Sequence, residues 1–87
     1  MKIIKAAKAG TLESNDILIM VSPNPKGGIS LNLESIVFKQ FGEAIKTTIL
    51  EKLKELDVED ITIVAQDKGA LDYTIKSRVE TAIKRAL

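Results

Sequence analysis

The chain has 87 residues, with 13 lysines and arginines against 12 aspartates and glutamates, and it contains no histidine, cysteine or tryptophan. At this length we expect one small domain with a modest core. The missing cysteines exclude disulfides, a thiolate nucleophile and cysteine-type metal sites, and the missing histidines remove the commonest general base. A self-sufficient enzyme is therefore not expected.

Composition and charge also narrow the choice of partners and compartment. Hydrophobic residues make up 45% of the chain and charged residues 29%, which is typical of a soluble globular domain. Charges of both signs are interspersed and aromatic residues amount to 3%, which argues against a nucleic-acid binder. The longest mainly apolar run, residues 17–21, is too short to span a bilayer, and residues 1–5 lack the apolar region of a signal peptide. We therefore expect a cytoplasmic protein that binds neither nucleic acid nor membranes.

The first part of the chain predicts an arm followed by two strands. Lysines and small residues, with no acidic residue before Glu13, indicate a mobile N-terminal arm over residues 1–11. Residues 16–22 are rich in aliphatic side chains and precede a Pro/Gly turn at residues 23–28, and residues 29–33 alternate apolar and polar side chains. These two segments are predicted to pair as a β-hairpin across the turn.

From Ser35 onward the spacing of apolar residues changes to three and four, which predicts an amphipathic helix of about five turns. Ser35 is its expected N-cap. Gly42 lies inside this helix at a cost of roughly 1 kcal/mol relative to alanine, so we expect a close packing contact at that point. The apolar stripe of the helix consists of Phe38, Phe41, Ile45, Ile49, Leu53 and Leu56.

A third strand and a second helix complete the pattern. Residues 58–65 predict a strand that is entered by the acidic turn 57–60 and ended by residues 67–69. The second helix has Asp72 in its first turn, where the helix dipole favours an acidic residue. Its apolar stripe consists of Leu71, Ile75, Val79, Ile83 and Leu87, and Lys84 and Arg85 lie in its last turn.

The order strand, strand, helix, strand, helix predicts an α+β fold for a single domain over residues 1–87. A small three-stranded sheet with both helices packed on one face is the simplest arrangement that buries the two apolar stripes. If the third strand is parallel to the second, the first helix forms a right-handed crossover between them.

Most of the polar clusters are interpreted as turns or surface. Residues 23–28 lack the spacing of a phosphate-binding loop, and residues 67–69 are too short for a dinucleotide fingerprint. The acidic turn at residues 57–60 lacks the ligand spacing of a calcium loop, so a solvated turn is favoured. Tyr73 is interpreted as a packing residue rather than as a phenolic acid, because a lone tyrosine on a helix usually packs.

Ser14 is the hydroxyl with two open interpretations. It lies in a polar turn ahead of the first predicted strand, where its side chain is expected to be exposed. Without a histidine to activate it, Ser14 is excluded as the nucleophile of a serine hydrolase. It is either a plain turn serine, which the turn composition favours, or the acceptor for a group that another enzyme attaches. Glu13 and Asp16 flank it and either mark the loop for such an enzyme or keep it solvated, and we favour the second.

Three blocks of the sequence resemble one known family. They are residues 9–14 (AGTLES) followed by Asp16, residues 39–50 (KQFGEAIKTTIL) and residues 67–72 (DKGALD). Together they are similar to the acyl carrier protein of citrate lyase, its gamma subunit. The similarity covers nearly the whole chain, and the blocks occur in the expected order at the expected spacing.

The resemblance implies a non-catalytic carrier whose Ser14 holds 2'-(5''-phosphoribosyl)-3'-dephospho-CoA through a phosphodiester. It further implies that the thiol of this group carries acetyl, that the alpha (transferase) subunit exchanges acetyl for citryl, and that the beta (lyase) subunit cleaves the citryl thioester to oxaloacetate. Separate enzymes, a prosthetic-group transferase and an acetylating ligase, would load the group and acetylate it. Tyr73 stands where relatives often have cysteine, so that position does not supply the thiol.

The residues themselves agree with such a role, because a thioester carrier without cysteine must obtain its thiol from an attached group. A flexible tether also raises the local concentration of the acyl group at each active site. Two alternatives remain. One is the acyl carrier subunit of malonate decarboxylase, although residues 67–72 favour citrate lyase. The other is an unmodified small interaction or ligand-sensing domain.

Overall fold

Four strands form one sheet, against which two helices pack. The computed structural model describes all residues from Met1 to Leu87. The elements are β1 (Ala7–Gly10), β2 (Ile17–Ser22), β3 (Ile29–Ser35), α1 (Phe38–Glu55), β4 (Ile61–Asp67) and α2 (Asp72–Arg85). The strand order is β1-β2-β4-β3, in which β2 is antiparallel to both neighbours and β3 is parallel to β4. The predicted α+β class is confirmed, but the sheet has four strands rather than three.

The additional strand lies in the segment predicted to be a mobile arm. Residues 7–10 pair with β2, from Ala7 opposite Val21 to Gly10 opposite Leu18. Ala9 and Ile3 are buried in the core, and the N–H of Ile4 donates a hydrogen bond to the C=O of Ala86. The prediction of an arm over residues 1–11 was therefore wrong for this part, because three small residues and one lysine give a weak strand signal that long-range pairing overrides.

The predicted hairpin of β2 with β3 was also wrong, because β4 lies between these two strands. Ala65 of β4 is opposite Ile19 of β2 on one side and opposite Leu33 of β3 on the other. The physical reason is burial. The apolar side chains of Ile61, Ile63 and Ala65 are fully buried, whereas Leu33 is the one buried residue of β3, so β4 takes the centre of the sheet and β3 an edge.

Both helices cover the same face of the sheet, as predicted. Helix α2 packs on β1 and β2, and α1 packs on β3 and on α2. The buried side chains from the helices are Ile45, Ile49, Leu53, Ile75, Val79 and Ile83, which meet Ile17, Ile19, Val21, Ile61 and Ile63 of the sheet. Neither helix is long and apolar enough to cross a membrane.

The start of α1 differs from the prediction. The helix begins at Phe38 after Val37 and has no side-chain cap, whereas Ser35, the expected N-cap, is the last residue of β3. Phe38 and Phe41, which were assigned to the core stripe, are exposed. The close contact expected at Gly42 is confirmed, because a Cβ at this position would lie 2.9 Å from the Phe38 ring.

The second helix agrees better with its prediction. Asp72 is its first residue and its buried stripe runs along one side, but Leu71 and Leu87 at the two ends are exposed. Tyr73 is also largely exposed, so its interpretation as a packing residue was wrong. In the acidic turn before β4, Asp60 is exposed, and its carboxylate accepts a 2.7 Å hydrogen bond from the N–H of Gly28.

Candidate functional site

Ser14 lies at the tip of the β1–β2 hairpin. The loop between these strands comprises residues 11–16, and Ser14 is exposed within its turn. Its hydroxyl takes no part in the side-chain hydrogen bonds that stabilise the loop. The predicted exposure of Ser14 is therefore confirmed, and its oxygen is accessible to another molecule.

Two residues with positive φ shape this hairpin. Gly10 has a φ of 94°, and a Cβ built on it would lie 1.8 Å from the backbone oxygen of Ile17. Only glycine allows this approach, because any side chain would collide with the backbone. Asn15 has a φ of 65°, in the left-handed region that asparagine tolerates better than most residues. The backbone of Gly10, where the loop leaves β1, therefore passes close to the backbone of Ile17, where β2 begins.

Asp16 anchors the end of the loop to α2. Its Oδ1 accepts hydrogen bonds from Arg78 Nε at 3.1 Å and from the N–H of Ile17 at 2.8 Å. Its Oδ2 accepts from Arg78 Nη2 at 2.9 Å and from Thr11 Oγ1 at 2.7 Å. A two-pronged arginine–carboxylate pair of this kind is both strong and geometrically specific.

This contact lowers the pKa of Asp16 from 3.8 to about 2, mainly through the hydrogen bonds from Arg78. Partial burial opposes the shift, and the bonds from Thr11 and Ile17 add to it. Asp16 therefore has a structural role that its interpretation as a solvating residue did not include. Nothing in the sequence pointed to Arg78, since its position next to Val79 on α2 matters only once the hairpin packs there.

The Ser14 turn rests on the segment that follows β4. The N–H of Asn15 donates to the C=O of Lys68 at 2.8 Å, and the N–H of Lys68 donates to the C=O of Asp16 at 2.8 Å. These reciprocal bonds join residues 15 and 16, which directly follow the sequence block at residues 9–14, to the block at residues 67–72. The block after β4 is therefore the support of the serine loop and not merely a strand break.

Asp67 holds the segment that follows β4 in place. It is 2% exposed, and its carboxylate accepts hydrogen bonds from the Ser35 hydroxyl at 2.8 Å and from the N–H groups of Gly69 and Ala70 at 3.1 and 3.0 Å. Ser35 Oγ in turn accepts the N–H of Val37 at 3.1 Å. The buried carboxylate thus joins the ends of β3 and β4 to the turns that precede α1 and α2. Its only sequence signal was its place between a strand and a glycine.

The residues present are suited to covalent attachment of a thiol-bearing group. An ester bond to phosphate requires a free hydroxyl, and Ser14 presents one on a turn that is hydrogen-bonded on both sides. The chain has no sulfhydryl of its own, so thioester chemistry needs a thiol from such a group. Asp16 is engaged by Arg78, which leaves Glu13 as the free carboxylate beside the serine.

Comparison with known proteins identifies the family. A family model described as ACP, malonate decarboxylase delta subunit (MdcD), matches residues 4–86. The citrate lyase acyl carrier protein of Vibrio cholerae serotype O1 (strain M66-2) is 48% identical over 86 residues, which cover 99% of this chain and 88% of the relative. That of Streptococcus mutans is 51% identical, over 99% of this chain and 84% of the relative. The chain belongs to the citrate lyase acyl carrier protein family.

Membership of the citrate lyase acyl carrier protein family confirms the resemblance found in the sequence. It also confirms that the chain is a non-catalytic carrier, since the relatives are named as carriers. A third relative, citrate lyase acyl carrier protein 2 of Salmonella paratyphi A, is 49% identical over 99% of this chain and 89% of its own length.

Solved structures with the same fold are more distant in sequence. A chain in the crystal structure of a Pseudomonas malonate decarboxylase hetero-tetramer in complex with malonate superposes with a TM-score of 0.75, at 17% identity, over 95% of this chain and 84% of that chain. A Thermus thermophilus protein gives a TM-score of 0.67 at 12% identity, over 98% of this chain but 16% of that chain. The citrate lyase acyl carrier fold is therefore also found outside close relatives.

Proposed function

We propose that this chain is the acyl carrier subunit of citrate lyase and that Ser14 is the attachment site of its prosthetic group. The observation that supports this most is the exposed, unengaged hydroxyl of Ser14 on a turn held in place by Asp16 and Lys68. No other hydroxyl in the chain combines these properties with a block characteristic of the family.

The proposed group is 2'-(5''-phosphoribosyl)-3'-dephospho-CoA, joined to Ser14 Oγ by a phosphodiester. When bound, it supplies the thiol on which acetyl and citryl are presented as thioesters to the transferase (alpha) and lyase (beta) subunits. The chain itself positions the attachment site. Ser14 is exposed at the hairpin turn, and the Asp16–Arg78 pair joins the end of this loop to α2.

The partners that follow from this proposal fall into two groups. The alpha and beta subunits of citrate lyase would receive the acyl group in turn, and a tether of fixed length keeps it at a high local concentration near both. A prosthetic-group transferase and an acetylating ligase would act on the chain before the cycle begins. All four must reach the same end of the molecule, where the Ser14 loop is exposed.

Intact-mass measurement of the chain, purified with its native complex, tests the attachment site. We expect one phosphoribosyl-dephospho-CoA adduct on the wild-type chain and none on Ser14→Ala. Ser77→Ala is the matched control, because Ser77 is also exposed but lies on α2, and this variant should keep the adduct. A bare polypeptide mass in an active complex would contradict the proposal and support an unmodified interaction domain.

Thiol labelling gives a second test. Since the chain has no cysteine, a thiol-directed alkylating reagent can label only the attached group. Labelling of the deacetylated complex, in which the arm thiol is free, should inactivate it and add one reagent mass to the loaded chain, and the unloaded chain should gain none. Inactivation with no label on this subunit would contradict the proposed mechanism.

The second candidate is the acyl carrier subunit of malonate decarboxylase. It is favoured by the description of the matching family model and by the shared fold with a chain of the Pseudomonas hetero-tetramer. Reconstitution separates the two candidates. A loaded chain that restores citrate cleavage by carrier-free citrate lyase, and not malonate decarboxylation by carrier-free malonate decarboxylase, supports the first, and the reverse result supports the second.

A further inference from the structure

An apolar groove lies between the N-terminal ends of α1 and α2. It has a volume of about 560 Å³, within the range of small-ligand sites. Its walls include Val37, Phe41, Ala44, Ala70, Leu71 and Tyr73. Three of these large side chains face solvent, since Phe41 is 54% exposed, Leu71 59% and Tyr73 71%. The groove therefore presents a large apolar surface that a ligand can cover.

The groove begins next to the Ser14 loop. Gly69 is one of its lining residues, and a Cβ built on Gly69 would be 3.6 Å from Asn15 Oδ1. The N–H of Asn15 is hydrogen-bonded to Lys68 at 2.8 Å, so the two segments are in fixed contact. Consecutive Cα atoms are about 3.8 Å apart, which places the start of any arm on Ser14 on the order of 10 Å from the groove.

We propose that this groove is a docking site for the thiol end of the prosthetic arm attached to the same chain, and that it accepts an uncharged acyl group but not one with carboxylates. The inference rests on the proposed function of Ser14. The thiol end of the arm would fold back from Ser14 past Gly69 and lie against Phe41 and Tyr73, where a short acyl thioester is shielded from water.

The charge of the groove determines this discrimination. Asp72 is its one charged lining residue, and the other lining residues are apolar apart from the Tyr73 hydroxyl and the backbone. A neutral acetyl group loses little hydration on entering. The helix N-termini at this groove favour anions, but no lining side chain is cationic and Asp72 opposes the dipole of α2. Carboxylates would therefore lose water without gaining a cationic side-chain partner and would approach the negative charge of Asp72. Exchange of acetyl for citryl on the arm thiol therefore releases the arm.

The groove suits a tethered arm better than a partner protein. A partner surface usually needs about 800 Å² on each side, whereas a groove of this size matches one narrow chain. An arm anchored at Ser14 reaches an effective concentration in the millimolar range, so a contact with a millimolar dissociation constant is already half occupied. Weak docking of this kind also allows the arm to leave for each active site.

Two stable caps on the arm thiol test the proposal. Iodoacetamide and iodoacetate each form a thioether as the thiolate displaces iodide, with the thiol proton passing to buffer, and they leave caps of nearly equal size. One cap is neutral and the other carries a carboxylate. The full ¹⁵N-labelled chain, loaded and capped, is compared by NMR with the unloaded chain.

With the neutral cap, we expect amide shift changes at the groove residues Ala44, Ala70 and Leu71 in addition to those around Ser14. With the carboxylate cap, the groove changes should fall at least two-fold, while those at Asn15 stay the same. Asp72→Asn should restore part of the groove changes for the carboxylate cap. Changes confined to residues 11–16 with the neutral cap would overturn the docking site, and equal groove changes for both caps would overturn the discrimination.

Reactivity of the uncapped thiol provides an independent readout. Phe41→Ser removes an exposed groove wall, and Leu50→Ser is the matched control, because Leu50 is exposed on α1 and does not line the groove. The thiol should react with iodoacetamide at least two-fold faster in Phe41→Ser than in the wild type and at the wild-type rate in Leu50→Ser. Equal rates in all three would overturn the proposal.

Intact mass separates this inference from the proposed function. If Ser14 gains no adduct in the native host, the proposed function fails and the docking site fails with it. If the adduct is present but the groove residues do not respond to the neutral cap, the carrier function stands and only the docking site is overturned.

Discussion

Arg78 and Asp16 are 62 residues apart in the chain, yet they form a two-pronged ion pair that joins α2 to the base of the Ser14 turn. The Asp16 side chain is 13% exposed and that of Arg78 is 38% exposed, so the pair is partly shielded from water. The anchor of the proposed prosthetic group is thereby connected to the helical layer of the domain and is not a free hairpin tip.

Removing the arginine tests this connection. Arg78→Met should lower the free energy of unfolding by about 1–2 kcal/mol, a value that is reduced because the pair is partly solvated. Lys84→Met is the control, because Lys84 forms a surface ion pair with Glu80, and it should change stability by less than about 0.5 kcal/mol. Urea denaturation measures the stability of both variants. Equal stability of Arg78→Met and the wild type would show that the Asp16–Arg78 pair contributes nothing.

Acid should weaken the same contact. The pKa of Asp16 is about 2 in the folded chain against an ordinary 3.8, so its contribution to stability is fully present above about pH 5. It is lost as the pH falls from there through 2, when the carboxylate becomes protonated in the folded state as well. The stability difference between the wild type and Asp16→Asn should therefore shrink across this window.

The difference between variants is the quantity to measure, because Glu80 also has a pKa lowered to about 2, by hydrogen bonds from Lys52 and then Lys84. Glu80 titrates in both the wild type and Asp16→Asn, so its effect cancels.

The close approach of Gly10 to the backbone of Ile17 predicts that a single added methyl group has a large effect on stability. Gly10→Ala should destabilise the chain by about 3 kcal/mol or more, because its Cβ would overlap the backbone oxygen of Ile17. Gly28→Ala is a matched control with a φ of 82° and no atom within 4 Å of the new Cβ, and it should cost only about 1–2 kcal/mol. Thermal unfolding measures the stability of the two variants. A similar loss of stability in both would contradict the clash at Gly10.

Asp67 should behave as a buried structural carboxylate. Asp67→Ala removes the acceptor for three donors, so we expect a loss of about 2–4 kcal/mol in unfolding free energy. Amide exchange at Gly69 and Ala70 should also become faster. Asp60→Ala is the exposed counterpart with a single backbone partner, and its cost should stay below about 1 kcal/mol. Slow exchange retained at Gly69 would contradict the assigned role.

Ser14 should matter for loading and not for folding. Ser14→Ala should change stability by less than about 0.5 kcal/mol, because the side chain is exposed and outside the loop's hydrogen bonds. Ser35→Ala should cost about 1–2 kcal/mol, since its hydroxyl bonds both Asp67 and the N–H of Val37. Chemical denaturation distinguishes the two, and a Ser14 variant as unstable as the Ser35 variant would point to a structural serine.

Local patterns in the sequence were sufficient for the elements with strong periodicity. The two helices, the aliphatic strand β2 and the exposed turn at Ser14 depend on side chains close together in the chain, and they were predicted correctly. The start of α1 was not, because Ser35 is used by the distant Asp67 and is therefore unavailable as a cap. Phe38 and Phe41 fit the helical period but are exposed at the start of the helix.

The sequence by itself determined the class of the domain and the lack of a sulfhydryl, and it predicted Ser14 as the hydroxyl that receives a group. These follow from composition, local periodicity and three blocks that resemble one family. Only the tertiary structure decided that β4 separates β2 from β3, that residues 7–10 form a strand, and that Arg78 and Lys68 hold the Ser14 loop. The reason is that strand pairing and ion pairing join residues far apart in the chain, and their energies depend on burial, which exists only once the core has assembled.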